Sequence, residues 1–314
     1  MAEETQKEIM TPRGRVVCTE TGCYWVAEEE AAALPEAPQK QEGQEDASVA
    51  YSRMAVNLRY EDVPQEAVGA TKKDILDTLS TTLAGSSAEG TQALIDQVRY
   101  WGGREESSIL IHGGKVPSPE AALVNGQMAH ARDYDDVYHL ARIHVGAVNV
   151  PTGFGVAEKL GGVSGSELIT AILIGIDIEL RLAQAAQLWT QFHPTATYGY
   201  FGSCATAGRL LGLNQEQMLN AFGIAYSQAA GNKQCMHDGS LTKRLQPGLA
   251  ARGGILAAHL AQRGYTGTTN NIEGEAGLFA LYHGGRYDPE PLTKDLGEYF
   301  DVVRLGYKPY PCAV

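Results

Sequence analysis

Three segments of the chain set titratable side chains among small neighbours. They are Met128-Ala129-His130-Ala131-Arg132-Asp133-Tyr134-Asp135-Asp136, His193-Pro194-Thr195-Ala196-Thr197-Tyr198-Gly199 and Gly239-Ser240-Leu241-Thr242-Lys243-Arg244-Leu245. Gly, Ser and Thr let a ligand come close to the backbone, while Asp, His and Lys hold charge or move protons. Three such segments in one chain predict a single polar pocket assembled from distant parts of the sequence.

Each segment also has a plainer reading. Asp133, Asp135 and Asp136, followed by His139 and His144, are the densest polar cluster. Three carboxylates this close repel one another, so one has a raised pKa or a cation such as Arg132 or Arg142 holds them. The alternative is a solvated acidic turn after a helix. Asp and His are also metal ligands, but the spacing matches no recognised zinc pattern, so no metal and no cofactor are expected. His193 precedes a helix start, where anions bind; otherwise it is a capping or core histidine. Lys243 reads as a carboxylate holder or a base in a loop before a helix, against an ordinary surface lysine. The chain has no phosphate-binding glycine loop and no serine or cysteine nucleophile arrangement.

The elements that must position these residues are mostly helical. From about residue 51, Ile75, Leu76, Leu79 and Leu83 recur at helical spacing and Gly85 follows as a stop. Ser118-Pro119-Glu120 opens another helix. Ser164 to Glu167 fits a capping box before the apolar run Leu168 to Ile178, and Asn214 to Gln217 fits a weaker cap. A helix is expected from Gly248 to Arg263. The strand signals are Ser107 to His112 and, in the N-terminal arm, residues 15–19 and 23–26 around Thr21-Gly22, which read as a hairpin. Residues 28–50 have linker composition.

Composition narrows the function. The chain has 314 residues, 44% of them hydrophobic and 20% charged, with a net charge of -12. This describes a soluble globular protein without the clustered cations of a nucleic-acid binder. The apolar run is too short to span a bilayer and contains Asp177. Five scattered cysteines and an acidic N-terminus point to a reducing compartment, and a cytoplasmic location is expected.

Taken together, the segments resemble the MmgE/PrpD family, which contains 2-methylcitrate dehydratase, cis-aconitate decarboxylase and iminodisuccinate epimerase. The similarity runs from about Tyr51 to Cys312. It rests on Val124-Asn125-Gly126 with His130, Asp133 to Asp136, His193-Pro194-Thr195, Asp238-Gly239-Ser240 and Thr242-Lys243-Arg244. It continues through Glu273-Gly274-Glu275 with Gly277 to Lys308-Pro309-Tyr310-Pro311-Cys312. The resemblance implies a metal-free pocket between a large helical domain and an α+β lid, in a dimer. It places Asp133, His144, His193 and Lys243 where the family keeps active-site groups. His139, Arg142, Thr197, Thr242 and Arg244 are the expected substrate contacts. Three departures stand out: Val137 where a Thr is usual, His144-Val145-Gly146 for His-Pro-Ser, and Gln246 for a His. They are expected to remove hydroxyl and imidazole groups from the pocket.

The expected architecture is therefore a mainly all-α chain: an arm over residues 1–50, a helical MmgE/PrpD domain over 51–285, and the start of an incomplete lid over 286–314. The family continues past its Pro-Cys segment into a lid that brings a further histidine. Either this chain is cut short or another polypeptide supplies the lid. The expected partners are a small carboxylate substrate and a second chain, in a homodimer or a hetero-oligomer with a lid-bearing protein, the arm docking on a neighbour or on the body. The expected chemistry is that of a lyase acting on a small di- or tricarboxylate. Dehydration of a 2-methylcitrate-like acid leads. Decarboxylation of a cis-aconitate-like acid, epimerisation or isomerisation, and a non-catalytic half-subunit are the alternatives.

Overall fold

The computed structural model describes residues 45–186 and 191–312 in full and, nearer the N-terminus, the backbone of three strands. The chain divides into two units, Met1–Pro38 and Gln39–Val314. In the first, β1 (Lys7–Thr11), β2 (Gly14–Thr19) and β3 (Gly22–Val26) form an antiparallel sheet in the order β1-β2-β3. The expected hairpin is the β2–β3 pair, in register from Arg15 opposite Val26 to Thr19 opposite Gly22. Gly22 opens β3. The sequence reading missed β1, which pairs Ile9 with Val16. Residues 27–44 lie outside the described residues, and with them most of the expected linker.

The second unit is mainly helical. It begins with α1 (Ala47–Asn57), a 3-10 turn (Tyr60–Asp62), α2 (Gln65–Gly85) and α3 (Thr91–Trp101). Short strands β4 (Ser107–Ser108) and β5 (Lys115–Val116) lead to α4 (Ser118–His130), α5 (Gly146–Lys159), α6 (Gly165–Ala185) and α7 (Pro194–Leu210). Then come α8 (Gln215–Tyr226), α9 (Gln234–His237), α10 (Thr242–Gln262), α11 (Leu278–His283), α12 (Glu290–Thr293) and a 3-10 turn (Asp301–Arg304). No helix among the described residues is long and apolar enough to cross a membrane.

Local rules explain most boundaries. Ser164 caps α6 by accepting from the Glu167 N–H at 3.1 Å, but the Glu167 carboxylate turns to Arg209, also at 3.1 Å. The capping box is therefore half made there. At α8 it is complete, with Asn214 and Gln217 each bonding the other's backbone. The apolar run lies within α6 and is buried from Thr170 to Ala183, as a core helix should be. Helix α10 starts six residues earlier than expected, at Thr242. Pro247 sits inside it, where its missing N–H leaves the Lys243 carbonyl without a helical donor.

Helix α10 packs against α7 and α4, and α7 packs against α6. The α4–α10 crossing is closed by two glycines. A Cβ on Gly248 would overlap the Leu123 carbonyl, and one on Gly126 would lie 3.0 Å from the Gly248 Cα. Helix α2 departs from its apolar pattern. Leu76 and Leu83 are exposed, while Thr71, Asp74, Thr78, Thr81 and Thr82 are buried. The polar face points inward because buried carboxylates wait there. After residue 285 the chain folds back on this unit. Arg181 on α6 donates to the carbonyls of Pro291, Lys294 and Tyr299 at 3.1, 2.7 and 3.1 Å. Val137 and Gly306 exchange backbone hydrogen bonds of 2.9 and 2.8 Å.

Candidate active site

Four stretches of chain meet at one place. The end of α4 brings His130, and the α4–α5 connection brings Asp133, Asp135, Asp136 and His144. His193 is the N-cap residue of α7, and Lys243 stands in the first turn of α10. The sequence reading put Lys243 in a loop before the helix; the earlier start of α10 corrects this and fixes its backbone. The segment around Lys308 closes over Asp133.

Three imidazoles form the centre. The His130 ring lies 5.2 Å from that of His144 and 5.7 Å from that of His193, centroid to centroid. His130 Nδ1 donates to Asp135 Oδ2 at 2.6 Å, with both side chains fully buried. His144 Nδ1 lies 2.6 Å from the Asp136 carbonyl oxygen. A carbonyl only accepts, so Nδ1 carries the hydrogen and Nε2 keeps a free lone pair. The main-chain N–H of His144 donates to Thr195 Oγ1 at 3.2 Å, which ties this loop to the start of α7. His130 Nε2, His193 Nδ1 and Thr197 Oγ1 are buried without a hydrogen-bond partner among the described residues.

Cations border this group. Lys243 Nζ pairs with Asp133 Oδ1. Lys308, 7% exposed, donates to the Asp133 carbonyl at 3.1 Å and lies 3.8 Å from Asp135 Oδ1. The Cys312 N–H donates to the same carbonyl at 3.1 Å. Asp133 has a φ of 51°, the left-handed region that a non-glycine residue enters at a cost, and these two donors hold it there.

Burial sets the proton balance. It pulls His144 down to about 4, helped by His130 and Lys308 and opposed by Asp135. Burial also lowers His130 and His193. Burial raises Asp135, but His130, His144 and Lys308 outweigh it and hold its carboxyl well below the usual range. Lys243 is pushed down to about 8 by burial and by its neighbours Lys308 and Arg244. Asp136 is pushed up to about 8 by burial and by Asp135, while the Val145 and Gly146 N–H groups that it caps, at 3.1 and 3.0 Å, pull the other way. Asp74 behind it is raised too, by burial and by Asp136. The result is a set of neutral imidazoles, an anchored anion and two lysines, one titrating near neutrality. Such a set binds carboxylates and passes protons.

Asp133, His144, His193 and Lys243 thus belong to one connected network, and Thr197 lies buried on the α7 turn that His193 caps. Other expected contacts point elsewhere. His139 is exposed against Gly306, Arg244 donates to the Glu89 carbonyl at 3.1 Å, and Thr242 bonds Ser240 at 2.7 Å. Arg142 is exposed, with a φ of 51°. The sequence reading gave no role to His130, Asp135 or Lys308. Each stood within a segment already singled out, but nothing local shows that His130 and Asp135 face each other or that residue 308 returns to residue 133. Of the departures, Val137 is buried in its pairing with Gly306 and Gln246 bonds backbone. Among the described residues, no three His, Cys, Asp or Glu side chains are arranged to hold a metal ion.

Comparison with known proteins places the chain among relatives. The sequence profile of the MmgE/PrpD N-terminal domain matches residues 50–290. The chain is 27% identical over 272 residues to cis-aconitate decarboxylase of Aspergillus terreus, covering 82% of this chain and 55% of that protein. It is 31% identical over 264 residues to cis-aconitate decarboxylase of Homo sapiens, covering 81% and 54% respectively. It is 29% identical over 250 residues to the Mus musculus enzyme of the same name, covering 77% and 50%. The chain therefore spans about half the length of the curated relatives it matches.

Proposed function

This chain belongs to the MmgE/PrpD family, and on that premise we propose that it is a lyase domain acting on a small di- or tricarboxylate by acid/base catalysis. The observation that carries the reading is the buried histidine group, anchored by Asp135 and bordered by Lys243 and Lys308. Breaking a bond beside a carboxylate needs cations to hold the acid and a neutral base to carry a proton. Lys243 and Lys308 hold carboxylate oxygens. Nε2 of His144 takes or returns the proton at carbon, with Asp133 orienting Lys243, and His193 serves as the second acid/base or oxyanion contact.

The finer reading we favour is loss of carbon dioxide from a cis-aconitate-like acid, because the matched relatives carry that name. The departing carbon dioxide leaves its bonding electrons on the substrate, and carbon takes up a proton that the Lys243 ammonium supplies, directly or by way of His144 Nε2. Loss of water from a 2-methylcitrate-like hydroxy acid uses the same groups, with Lys243 as donor to the leaving hydroxyl. We propose that the chain works as a homodimer or with a lid-bearing chain. The test is NMR of the purified chain, alone and with a lid-bearing family member, against cis-aconitate and 2-methylcitrate. Turnover of one acid is expected, falling at least about a hundredfold in His144→Gln. No turnover in either setting, or turnover indifferent to His144, would refute the proposal.

A further inference from the structure

Of the three central imidazoles, His130 takes no part in the proposed proton transfers, yet it is only 1% exposed and its ring neighbours both of the others. Its Nδ1 is committed to Asp135 Oδ2 at 2.6 Å. A carboxylate only accepts, so Nδ1 carries the hydrogen and Nε2 keeps a bare lone pair. That nitrogen is buried and has no hydrogen-bond partner among the described residues. A buried acceptor costs free energy unless a donor meets it.

The two neighbouring rings differ in what they can offer. His144 spends its Nδ1–H on the Asp136 carbonyl at 2.6 Å, and a neutral imidazole has no second N–H to give. His193 is uncommitted: its Nδ1 is also buried without a partner among the described residues. The His193 backbone is fixed. Pro194 follows it, its φ and ψ are -93° and 102°, and its carbonyl accepts from the Ala196 and Thr197 N–H groups at 3.1 and 3.0 Å. Only the rotation and the tautomer of the ring remain to be set. Two adjacent imidazoles thus each keep a nitrogen buried and unpaired, one in need of a donor and the other free to be one.

We infer that a small ring rotation closes a hydrogen bond from His193 Nδ1–H to His130 Nε2, so that the Asp135–His130 pair positions His193 and fixes it as the Nδ1–H tautomer. The inference rests on the carboxylate-lyase reading and decides between the two roles given there to His193. A bare Nε2 accepts a proton from substrate but cannot donate to an oxyanion, so His193 is a base. The hydrogen bond at one imidazole nitrogen sets what the other can do. When His193 gains a proton, its charge is offset by Asp135 through the His130 ring.

Proton–nitrogen correlation NMR on the full chain, isotopically labelled at histidine, reads each tautomer at pH 7, where burial keeps all three rings neutral. The wild type is expected to show Nδ1–H at His130, His144 and His193. His130→Phe keeps a ring and removes the acceptor; His193 should then become a mixture of tautomers while His144 stays Nδ1–H. In the same variant kcat should fall about tenfold or more with KM changed less than about twofold. Thr197→Val removes the buried hydroxyl one turn along α7 and should leave the His193 tautomer unchanged. An Nε2–H His193 in the wild type overturns the inference. So does a His193 tautomer that His130→Phe leaves alone or that Thr197→Val alters. Each of these leaves the lyase reading standing, whereas a chain that turns over neither acid refutes that reading whatever the spectra show.

Discussion

His144 offers a direct test of the electrostatics of the histidine group. Burial holds it at about 4 in the folded chain, against about 6.5 for an unfolded histidine. At pH 7 the side chain is neutral in both states and contributes nothing to pH dependence. As the pH falls toward 5, the unfolded chain binds a proton there and the folded chain does not. The unfolded state is favoured by about 2 kcal/mol at pH 5 and about 3 kcal/mol at pH 4, with no further loss below the folded value. Stability from this residue therefore rises with pH between about 4 and 6.5. His144→Gln removes the titration while keeping an N–H that can reach the Asp136 carbonyl. Its packing cost is the same at every pH and cancels when two pH values are compared. Urea unfolding of both proteins at pH 7 and pH 5 should show the wild type losing about 2 kcal/mol more than the variant over that interval. His130 and His193 are lowered by burial as well and titrate in both proteins. Equal losses would mean that His144 protonates normally, and the burial argument for a neutral base would fall.

Other outcomes follow from the same geometry. Lys243→Ala should weaken cis-aconitate binding about tenfold or more, by removing a charge-assisted contact, with an unchanged melting temperature; unchanged affinity by calorimetry would make Lys243 a surface residue. Asp135→Asn removes the anion from between His130 and Lys308 and should destabilise the fold by about 3 kcal/mol or more, read by urea midpoint at pH 7, since one charge of a buried set is left alone. Gly248→Ala should lower the melting temperature by several degrees, because its Cβ would meet the Leu123 carbonyl across the α4–α10 crossing. Turnover should survive a chelator; loss in chelator with recovery on adding a divalent ion would overturn the metal-free assignment.

Much of the fold was written locally. The Pro after Ser118, the Asn214–Gln217 box, the Gly85 stop and the buried run of α6 are signals carried by a few adjacent residues, and backbone hydrogen bonding acts on them at short range. The sequence also carried the three segments from which the candidate site is built, because chemistry needs particular side chains whatever the fold. It misled where a local pattern competes with packing. The Leu stripe of α2 reads as a buried face, yet the threonines and Asp74 face inward, since that side meets Asp136 and the start of α5. The expected helix from Gly248 begins earlier, at Thr242, with Pro247 inside it. What tertiary structure alone decided are the long-range meetings: His130 with His144 and His193, Lys308 with Asp133, and Gln246 with the loop of Lys233. Each joins residues whose separation no local periodicity records, and His130 and His193 meet because α10 packs against both α4 and α7.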